Sequence, residues 1–97
     1  MQDSTLRPQL IEKEIISNLM FPKEEVLMDE HGKTHRQATL EHAMKLGNNH
    51  RHKATITFED SENVKQVETT VWAVTEKWII LKGSMVIPIC RVHEVNF

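Results

Sequence analysis

The spacing of apolar residues changes at Lys53, and this change constrains the fold more than any other feature of the chain. In "KATITFED", residues 53–60, Ala54, Ile56 and Phe58 share one side of an extended chain, while threonines and acids occupy the other. This alternation predicts a half-buried strand. It recurs in most of the sequence that follows, which is therefore expected to form short strands with one buried face.

Four more strands are predicted after the first, the last of them very short. Residues 67–74 alternate and predict a longer strand, "TEK" turns it, "WIILK" at 78–82 predicts a third, and "GS" turns again. Pro88 donates no hydrogen bond to a ladder, so it must lie at an edge, at a bulge, or where a bent fourth strand changes sheets. A single helical turn in "CRVHEV" and a very short last strand at residues 95–97 complete this half.

Before the strands, residues 9–20 predict an amphipathic helix that ends near Phe21. Pro8 suits its first turn, and Pro22 cannot continue it. Glu12, Lys13 and Glu14 lie opposite an apolar stripe. The stripe consists of Leu10, Ile11, Ile15, Ile16 and Leu19.

Between this helix and the strands, the sequence predicts a short strand and a second helix. The apolar run at residues 26–28 is followed by turn chemistry. Thr34 and Gln37 have the spacing of a capping box, which predicts a helix over about residues 35–46. Gly47 is well placed to end that helix in a left-handed conformation.

Composition limits the classes of protein to consider. A chain of 97 residues can build one small core but not two. Fourteen acidic and twelve basic side chains give a formal net charge of -2, so no global field attracts phosphate backbones or lipid headgroups. Cys90 is the only cysteine, which excludes an intramolecular disulfide and favours a reducing compartment. With no leader-like or membrane-spanning apolar run, we expect a soluble cytoplasmic protein.

These elements predict an α+β, mainly β, fold. We expect a small, strongly bent SH3-like or Sm-like barrel of four to five antiparallel strands preceded by two helices. The chain is expected to form a single domain over residues 1–97. Residues 1–33 would form an extension with the first helix and short strand, and residues 34–97 would form the second helix and the barrel.

The chain also resembles a known family. "LEHAMKLGNNHRHKATITFED", the alternating strands after it and the closing "IPICRVHEV" resemble the order of elements in Rho-binding antiterminators of the Rof type, and more loosely in Sm-like domains. The resemblance covers about residues 39–97 and implies a module that binds protein or RNA without catalysis. The chain differs in its extra N-terminal helix and strand. Because six bases balance six acids over residues 51–97, neither a Rho-type partner nor any binding residue is carried over.

The two tryptophans offer one candidate site. By alternation Trp72 and Trp78 fall on the side opposite Val71 and Leu81, and a three-residue turn would place them across from each other on paired strands. Helix 9–20 is expected to cover them, while an uncovered pair would mark a partner site for another protein or a second copy. Candidate partner-binding residues are Trp72, Trp78, Leu10, Ile15 and Leu19.

A local basic cluster offers the alternative, RNA binding, around the end of the second helix. A solvated rim is the other interpretation, since positive charge near a helix C-terminus is favoured by the helix dipole. The cluster consists of Arg36, Lys45, His50, Arg51, His52 and Lys53.

Neither a metal site nor catalysis is expected. His31 and His35 are four residues apart, but Gly32 argues against a helix there, and His50, His52 and His42 lack a cysteine or carboxylate at ligand spacing. Cys90, with His93 three residues on, could be a nucleophile, but it follows apolar residues and is expected to pack as a small hydrophobe. We predict a binding module with no enzyme activity, no cofactor, no small-molecule substrate and no membrane partner.

Overall fold

The computed structural model describes residues 7–97, and residues 1–6 of the expected N-terminal extension lie outside the described part. The fold is α+β, with one long α-helix rather than the two expected, and two sheets, within residues 7–97. The elements, in chain order, are β1 (Gln9–Leu10), a first 3-10 helix (Lys13–Asn18), α1 (Glu30–His50), β2 (Ala54–Glu59), β3 (Val64–Thr69), β4 (Val71–Val74), β5 (Trp78–Leu81), β6 (Val86–Pro88), a second 3-10 helix (Ile89–Arg91) and β7 (Val92–Asn96).

The strands form a four-stranded and a three-stranded sheet. The first has the order β1-β3-β2-β7, with β1 parallel to β3 and the other neighbours antiparallel. The second has the order β4-β5-β6 and is antiparallel. In the first sheet Ile56 of β2 lies between Val67 of β3 and Val95 of β7, so β2 has neighbours on both sides.

The chain passes between the two sheets at two places. The prediction of a single strand over residues 67–74 is wrong. β3 ends at Thr69, and β4 begins at Val71 in the other sheet. The second passage follows Pro88, which ends β6 and precedes the second 3-10 helix. A change of sheets is one of the places where a residue without an N–H was expected. The helical turn therefore lies at residues 89–91, and the last strand begins earlier than expected, at Val92.

One hydrophobic core lies between the sheets. The residues expected inward on the first and third strands are indeed buried, including Phe58, Ile79 and Leu81 at 0% exposure. At the border of the core, Lys65 donates to Asp60 at 2.7 Å, and both side chains are buried. Burial alone would raise the pKa of Asp60, but hydrogen bonds from Lys65 and from backbone N–H groups outweigh it and lower the pKa.

Helix α1 begins earlier than the sequence suggested. Its N-cap is Asp29, whose Oδ1 accepts a hydrogen bond from the backbone N–H of Gly32 at 2.8 Å. The prediction of a capping box at Thr34 and Gln37 is wrong, because both residues lie inside the helix. Glycine suits this position in the helix, because a Cβ on residue 32 would lie only 2.8 Å from the capping Oδ1 of Asp29.

The buried face of α1 is narrow and includes Arg36, Leu40, Ala43 and Gly47. The sequence suggested that Gly47 ends the helix, but the helix continues beyond it. A Cβ at Gly47 would lie 2.5 Å from the backbone oxygen of Val71, so the missing side chain lets the helix approach β4 closely. The helix ends instead at Arg51, which adopts the left-handed conformation with φ 55°. No helix within residues 7–97 is long and apolar enough to cross a membrane.

The predicted helix over residues 9–20 is wrong. Gln9 and Leu10 pair with β3 instead, and the N–H of Ile11 continues this pairing by donating to the oxygen of Gln66. Only the short first 3-10 helix forms after it, and its N-cap, Glu12, makes no side-chain hydrogen bond. Three β-branched isoleucines weaken an α-helix here, while the open edge of β3 offers backbone partners.

Residues 19–28, here called the connecting segment, join the first 3-10 helix to α1. The strand expected at residues 26–28 is wrong, since the segment contains no strand and Val26 makes one backbone bond, from its N–H to the oxygen of Cys90. Ile16, just before the segment, is 2% exposed and belongs to the core. The boundary expected between residues 33 and 34 falls inside α1. Through Ile16, the described residues before α1 pack on the core of their own chain.

Candidate binding cleft

A cleft of about 640 Å³ opens between the connecting segment and the ends of β5 and β6. The connecting segment forms one wall, and the turn before β5 with the residues after β6 forms the other. Trp78 is 45% exposed, so a large part of an aromatic side chain faces solvent in this cleft. The apolar lining consists of Phe21, Pro22, Trp78, Pro88 and Ile89.

Arg36 fixes the connecting segment to α1. Its Nη1 and Nη2 donate to the two carboxylate oxygens of Glu25 at 2.6 and 2.7 Å, a bidentate pair. Nη1 also donates to the backbone oxygen of Val92 at 3.0 Å. One guanidinium therefore joins the helix, the connecting segment and β7.

Arg91 fixes the same segment from the other side. Its Nε donates to the backbone oxygen of Glu59 at 3.0 Å, and its Nη1 donates to that of Glu24 at 2.7 Å. The Sγ of Cys90 lies 3.7 Å from the oxygen of Lys23. The cleft wall is therefore held by polar bonds to two buried arginines.

The cleft carries a small positive charge. Hydrogen bonds from Arg36 lower the pKa of Glu25 from its ordinary value of 4.5 against the opposing effect of partial burial, so this carboxylate and guanidinium compensate each other. The remaining charged lining consists of Lys23, Lys77 and Glu76, all exposed. None of these three forms an ion pair with another described residue.

Two methionines of the connecting segment are strongly exposed. Met20 and Met28 lie in the connecting segment and are 73% and 92% exposed. Methionine side chains are flexible and polarizable, and they adapt to partners of different shape. Neither methionine lines the Trp78 cleft.

The tryptophans do not form the expected pair. The backbone N–H of Thr75 donates to the oxygen of Trp78 across the turn, and Trp78 also lies opposite Pro88 on β6. Trp72 falls at a register shift between Val71 and Ala73 and is not opposite Trp78. The turn is one residue tighter than expected, with Thr75 opposite Trp78, and a bulge displaces Trp72, so only Trp78 reaches the cleft.

The apolar residues of the predicted first helix are divided by the structure. Leu10 and Ile15 are exposed, at 71% and 43%, while Leu19 packs against the core. They do not line the Trp78 cleft. Neither the expected helix nor its cover over the tryptophans exists, because these residues form β1 and the first 3-10 helix.

The basic cluster keeps all but one of its expected members at the surface. Lys45, His50, Arg51, His52 and Lys53 are exposed. Arg36 is 7% exposed and bound to Glu25, so its assignment to an RNA-binding surface is wrong. Its Nη1 and Nη2 donate to Glu25 and to the Val92 oxygen, and its Nε is buried without a hydrogen-bond partner among the described residues, so the guanidinium does not lie at the surface.

A second cleft, of about 310 Å³, lies beside this cluster and was missed from the sequence. It brings together lysines from separate parts of the chain, because the N–H of Lys82 donates to the oxygen of Thr70 and the register puts Lys53 next to the same position. The sequence offered no signal for this meeting, which depends on how β4 pairs with β5. The polar lining consists of Glu12, Lys13, Lys53, Glu68, Thr69, Thr70 and Lys82.

The cysteine and histidine candidates remain separate. The imidazole Nε2 of His93 lies 2.9 Å from a carboxylate oxygen of Glu59, and no hydrogen bond joins His93 to Cys90 in the described part. His31 and His35 do lie on one helix, contrary to the expectation from Gly32. Residues 7–97 contain no group of three or more histidine, cysteine, aspartate or glutamate side chains placed to hold a metal ion.

Of the residues that line this cleft, only Trp78 was a partner-binding candidate from the sequence, and Phe21 and Pro22 are among those that were missed. Their only sequence signal was a proline after an apolar run, which we interpreted as the end of a helix.

A scan against protein-family models, a search of curated proteins and a search of solved structures each found no match for this chain.

Proposed function

We propose that the protein is a non-catalytic binding module that takes up a segment of a protein partner in the Trp78 cleft. The observation that carries the proposal is the half-exposed indole of Trp78 in a concave apolar surface with Phe21, Pro22, Pro88 and Ile89. Partner segments commonly bind through a few large apolar anchors in such concave surfaces.

The charge around the cleft suggests the chemistry of the partner. Lys23 and Lys77 are exposed and unpaired within the described residues, against the single carboxylate of Glu76. Opposite charges across an interface increase the rate of association and select the correct partner. We therefore expect an extended segment whose apolar side chains enter the cleft and whose acidic side chains meet the two lysines.

The sulfur and imidazole chemistry supports binding rather than catalysis. A catalytic thiol needs a base within hydrogen-bond reach, and the imidazole of His93 is bonded to Glu59 instead. Cys90 lies in the wall of the cleft, where its Sγ faces a backbone oxygen. A packing role for Cys90 fits these contacts, and the single cysteine also suits a reducing, cytoplasmic setting.

The finer fold assignment belongs to the same proposal. A strand that breaks at Thr70 to serve two sheets, and a 3-10 helix before the last strand, support a small bent barrel of the SH3-like or Sm-like type. The resemblance of residues 39–97 to Rof-type antiterminators remains a proposal at the level of this architecture.

A peptide selection tests the function. Random peptides of about 12 residues, enough to cross a small groove, are displayed and selected on the immobilised protein, and each enriched peptide is measured by fluorescence anisotropy. We expect apolar sequences with aspartate or glutamate. Trp78→Ala should weaken their binding at least about tenfold, as loss of a central aromatic anchor does.

Trp72→Ala is the matched control, because both indoles are 45% exposed and Trp72 is not in the cleft. It should leave peptide affinity unchanged. The double variant K23E/K77E should weaken acidic peptides without touching the core. Circular dichroism and thermal unfolding of each variant confirm that the fold is retained.

Two results would count against the proposal. If no peptide is enriched, or if W78A and W72A bind equally, the cleft has no such partner. If light scattering instead shows a concentration-dependent dimer that W78A abolishes, the occupant is a second copy of the chain.

A further inference from the structure

The outer faces of the two sheets differ in composition. On the four-stranded sheet, the middle strand β2 turns Thr55, Thr57 and Glu59 away from the buried Ile56 and Phe58. The three strands of the other sheet contain no charged residue, on either face. Because an antiparallel sheet usually turns a polar face to water, an apolar outer face indicates a contact with another molecule. The side away from the core, here called the apolar outer face, consists of Trp72, Ala73, Trp78, Ile80, Val86 and Pro88.

Strand pairing brings the residues of this face together. Ile80 lies on the middle strand, with Ala73 of β4 opposite it on one side and Val86 of β6 opposite it on the other. Trp78 and Pro88 form the next row along the same two strands. The face is therefore continuous across all three strands.

Three residues of the face are well exposed. Trp72, the extra residue of the bulge in β4, and Trp78 are each 45% exposed, and Val86 is 39% exposed. A tryptophan side chain has a surface of up to about 250 Å², so the two indoles alone leave roughly 200 Å² in water. With its aliphatic residues the face approaches the size at which an apolar patch marks an interaction site.

We infer that the apolar outer face binds a second copy of this chain, with the two β5 strands antiparallel across a two-fold axis. The charges at the ends of β5 favour this occupant, because Glu76 lies in the turn before the strand and Lys82 directly follows it. Both are exposed, and neither forms an ion pair within residues 7–97. Antiparallel packing brings Glu76 of each copy toward Lys82 of the other, so the same favourable contact arises twice.

The size of the face determines the strength of the dimer. Two copies packed face to face bury roughly twice the apolar area of one, with a polar rim, which stays below the about 1,200–2,000 Å² of a standard interface. We therefore expect a dissociation constant of about 10 to 100 µM, with monomers in dilute solution and dimers at high concentration.

This inference goes beyond the function proposed for the Trp78 cleft. Trp72, Ile80, Val86 and Lys82 do not line that cleft, whereas Trp78 belongs to both surfaces. Substitutions of Trp72 and Val86 therefore act on the dimer alone, and they should leave peptide affinity unchanged.

The mass of the full chain in solution, measured by light scattering over a range of protein concentrations, tests the inference. It should rise from 11.3 kDa toward twice that value. Val86→Glu buries a charge in the interface and should abolish the dimer, while W72A should weaken it about tenfold. W78A should weaken the dimer without abolishing it, because Trp72 and the charge contacts remain.

Met28→Glu is the matched control for V86E. Met28 is 92% exposed and lies outside the apolar outer face, so the same added charge should leave the dimer unchanged. Circular dichroism and thermal unfolding of each variant confirm that the fold is retained.

Charge reversal tests whether the occupant is a second copy. E76K and K82E each oppose two pairs of like charges and should weaken self-association about fivefold. An equimolar mixture of the two variants should restore the dimer, because each contact then joins opposite charges. The double variant E76K/K82E should dimerise like the wild type for the same reason.

Three results would overturn the inference. The first is a mass that stays at 11.3 kDa up to about 1 mM, where even a weak complex forms. The second is a dimer that M28E dissociates as readily as V86E, or that the mixture of charge variants does not restore. The third is a dimer that W78A abolishes while V86E leaves it intact, since that dimer lies in the Trp78 cleft. Failure of the peptide selection bears on none of these masses.

Discussion

Helix α1 and the connecting segment before it are both attached to the sheets, but by different physical means. The helix is held by close packing, in which Leu40 and Ala43 are buried and Gly47 meets the backbone of Val71. The connecting segment packs Leu19 and Phe21 against the core and is also held by hydrogen bonds and an ion pair to two buried arginines. Packing is sensitive to a single added atom, whereas the polar attachment is sensitive to protonation.

The largest effect is expected at the helix. Gly47→Ala places a methyl group 2.5 Å from the Val71 oxygen and 2.9 Å from the Thr70 Cγ2, so the helix must move away from β4. We expect a loss of about 3 kcal/mol in the free energy of unfolding, at the upper end of overpacking. Chemical denaturation measures it. Asn48→Ala, at the next and exposed position, is the control and should change stability by no more than about 0.5 kcal/mol.

A smaller effect is expected at the connecting segment. Glu25→Gln keeps the shape of the side chain but removes the charge that accepts two hydrogen bonds from Arg36. Loss of bonds to a charged group should cost about 2 kcal/mol. Glu24→Gln is the matched control, because only the backbone oxygen of Glu24 bonds to Arg91. Equal stability of the two variants would show that the bidentate pair contributes nothing.

The attachment of the connecting segment should also depend on pH. The pKa of Glu25 is lowered in the folded state, so its contribution is complete above the ordinary value of 4.5 and is lost as pH falls through the folded value. The stability difference between wild type and E25Q should therefore shrink between about pH 5 and pH 3. Asp60, whose pKa is also lowered, is present in both proteins and cancels from the comparison. A difference that stays constant over this range would contradict the assignment.

The smallest effect is local and distinguishes the two attachments most sharply. Cys90 lines the cleft against the connecting segment and is partly buried, with its Sγ 3.7 Å from the Lys23 oxygen. Weakening the segment with E25Q should raise the rate of thiol alkylation under native conditions about fivefold, which corresponds to about 1 kcal/mol of easier local opening. E24Q should react like wild type. A rate that follows global stability in every variant would mean that the segment does not open independently.

The sequence predicted the strands well because their signal is local. Ala54, Ile56 and Phe58 alternate with polar residues and are buried, and Pro88 marks the end of its strand. The break at Thr70 gave no such signal, since residues 67–74 alternate without interruption and two adjacent threonines favour a strand. The bend is determined by which neighbours β3 and β4 pair with, and that is a property of the whole fold.

The candidate sites were predictable only in part, for the same reason. Trp78 was identified from its size and position, but Phe21 and Pro22 come from a segment without periodicity. Arg36 was assigned to a basic surface because its partner, Glu25, is eleven residues away on another element. Lys82 was overlooked because only strand pairing brings it near Lys53. Periodicity indicates which face is buried, not which residues meet.

The position of β2 has a consequence for how the chain is made. β2 lies between β3 and β7, and β7 follows it by many residues in sequence, so the strand at the middle of the sheet lacks one neighbour until residues 92–96 have left the ribosome. Ile56 and Phe58, buried in the finished fold, then remain accessible to water and to chaperones during synthesis. The four-stranded sheet is therefore expected to form completely only after β7 has been synthesised, with β7 as the last strand to join.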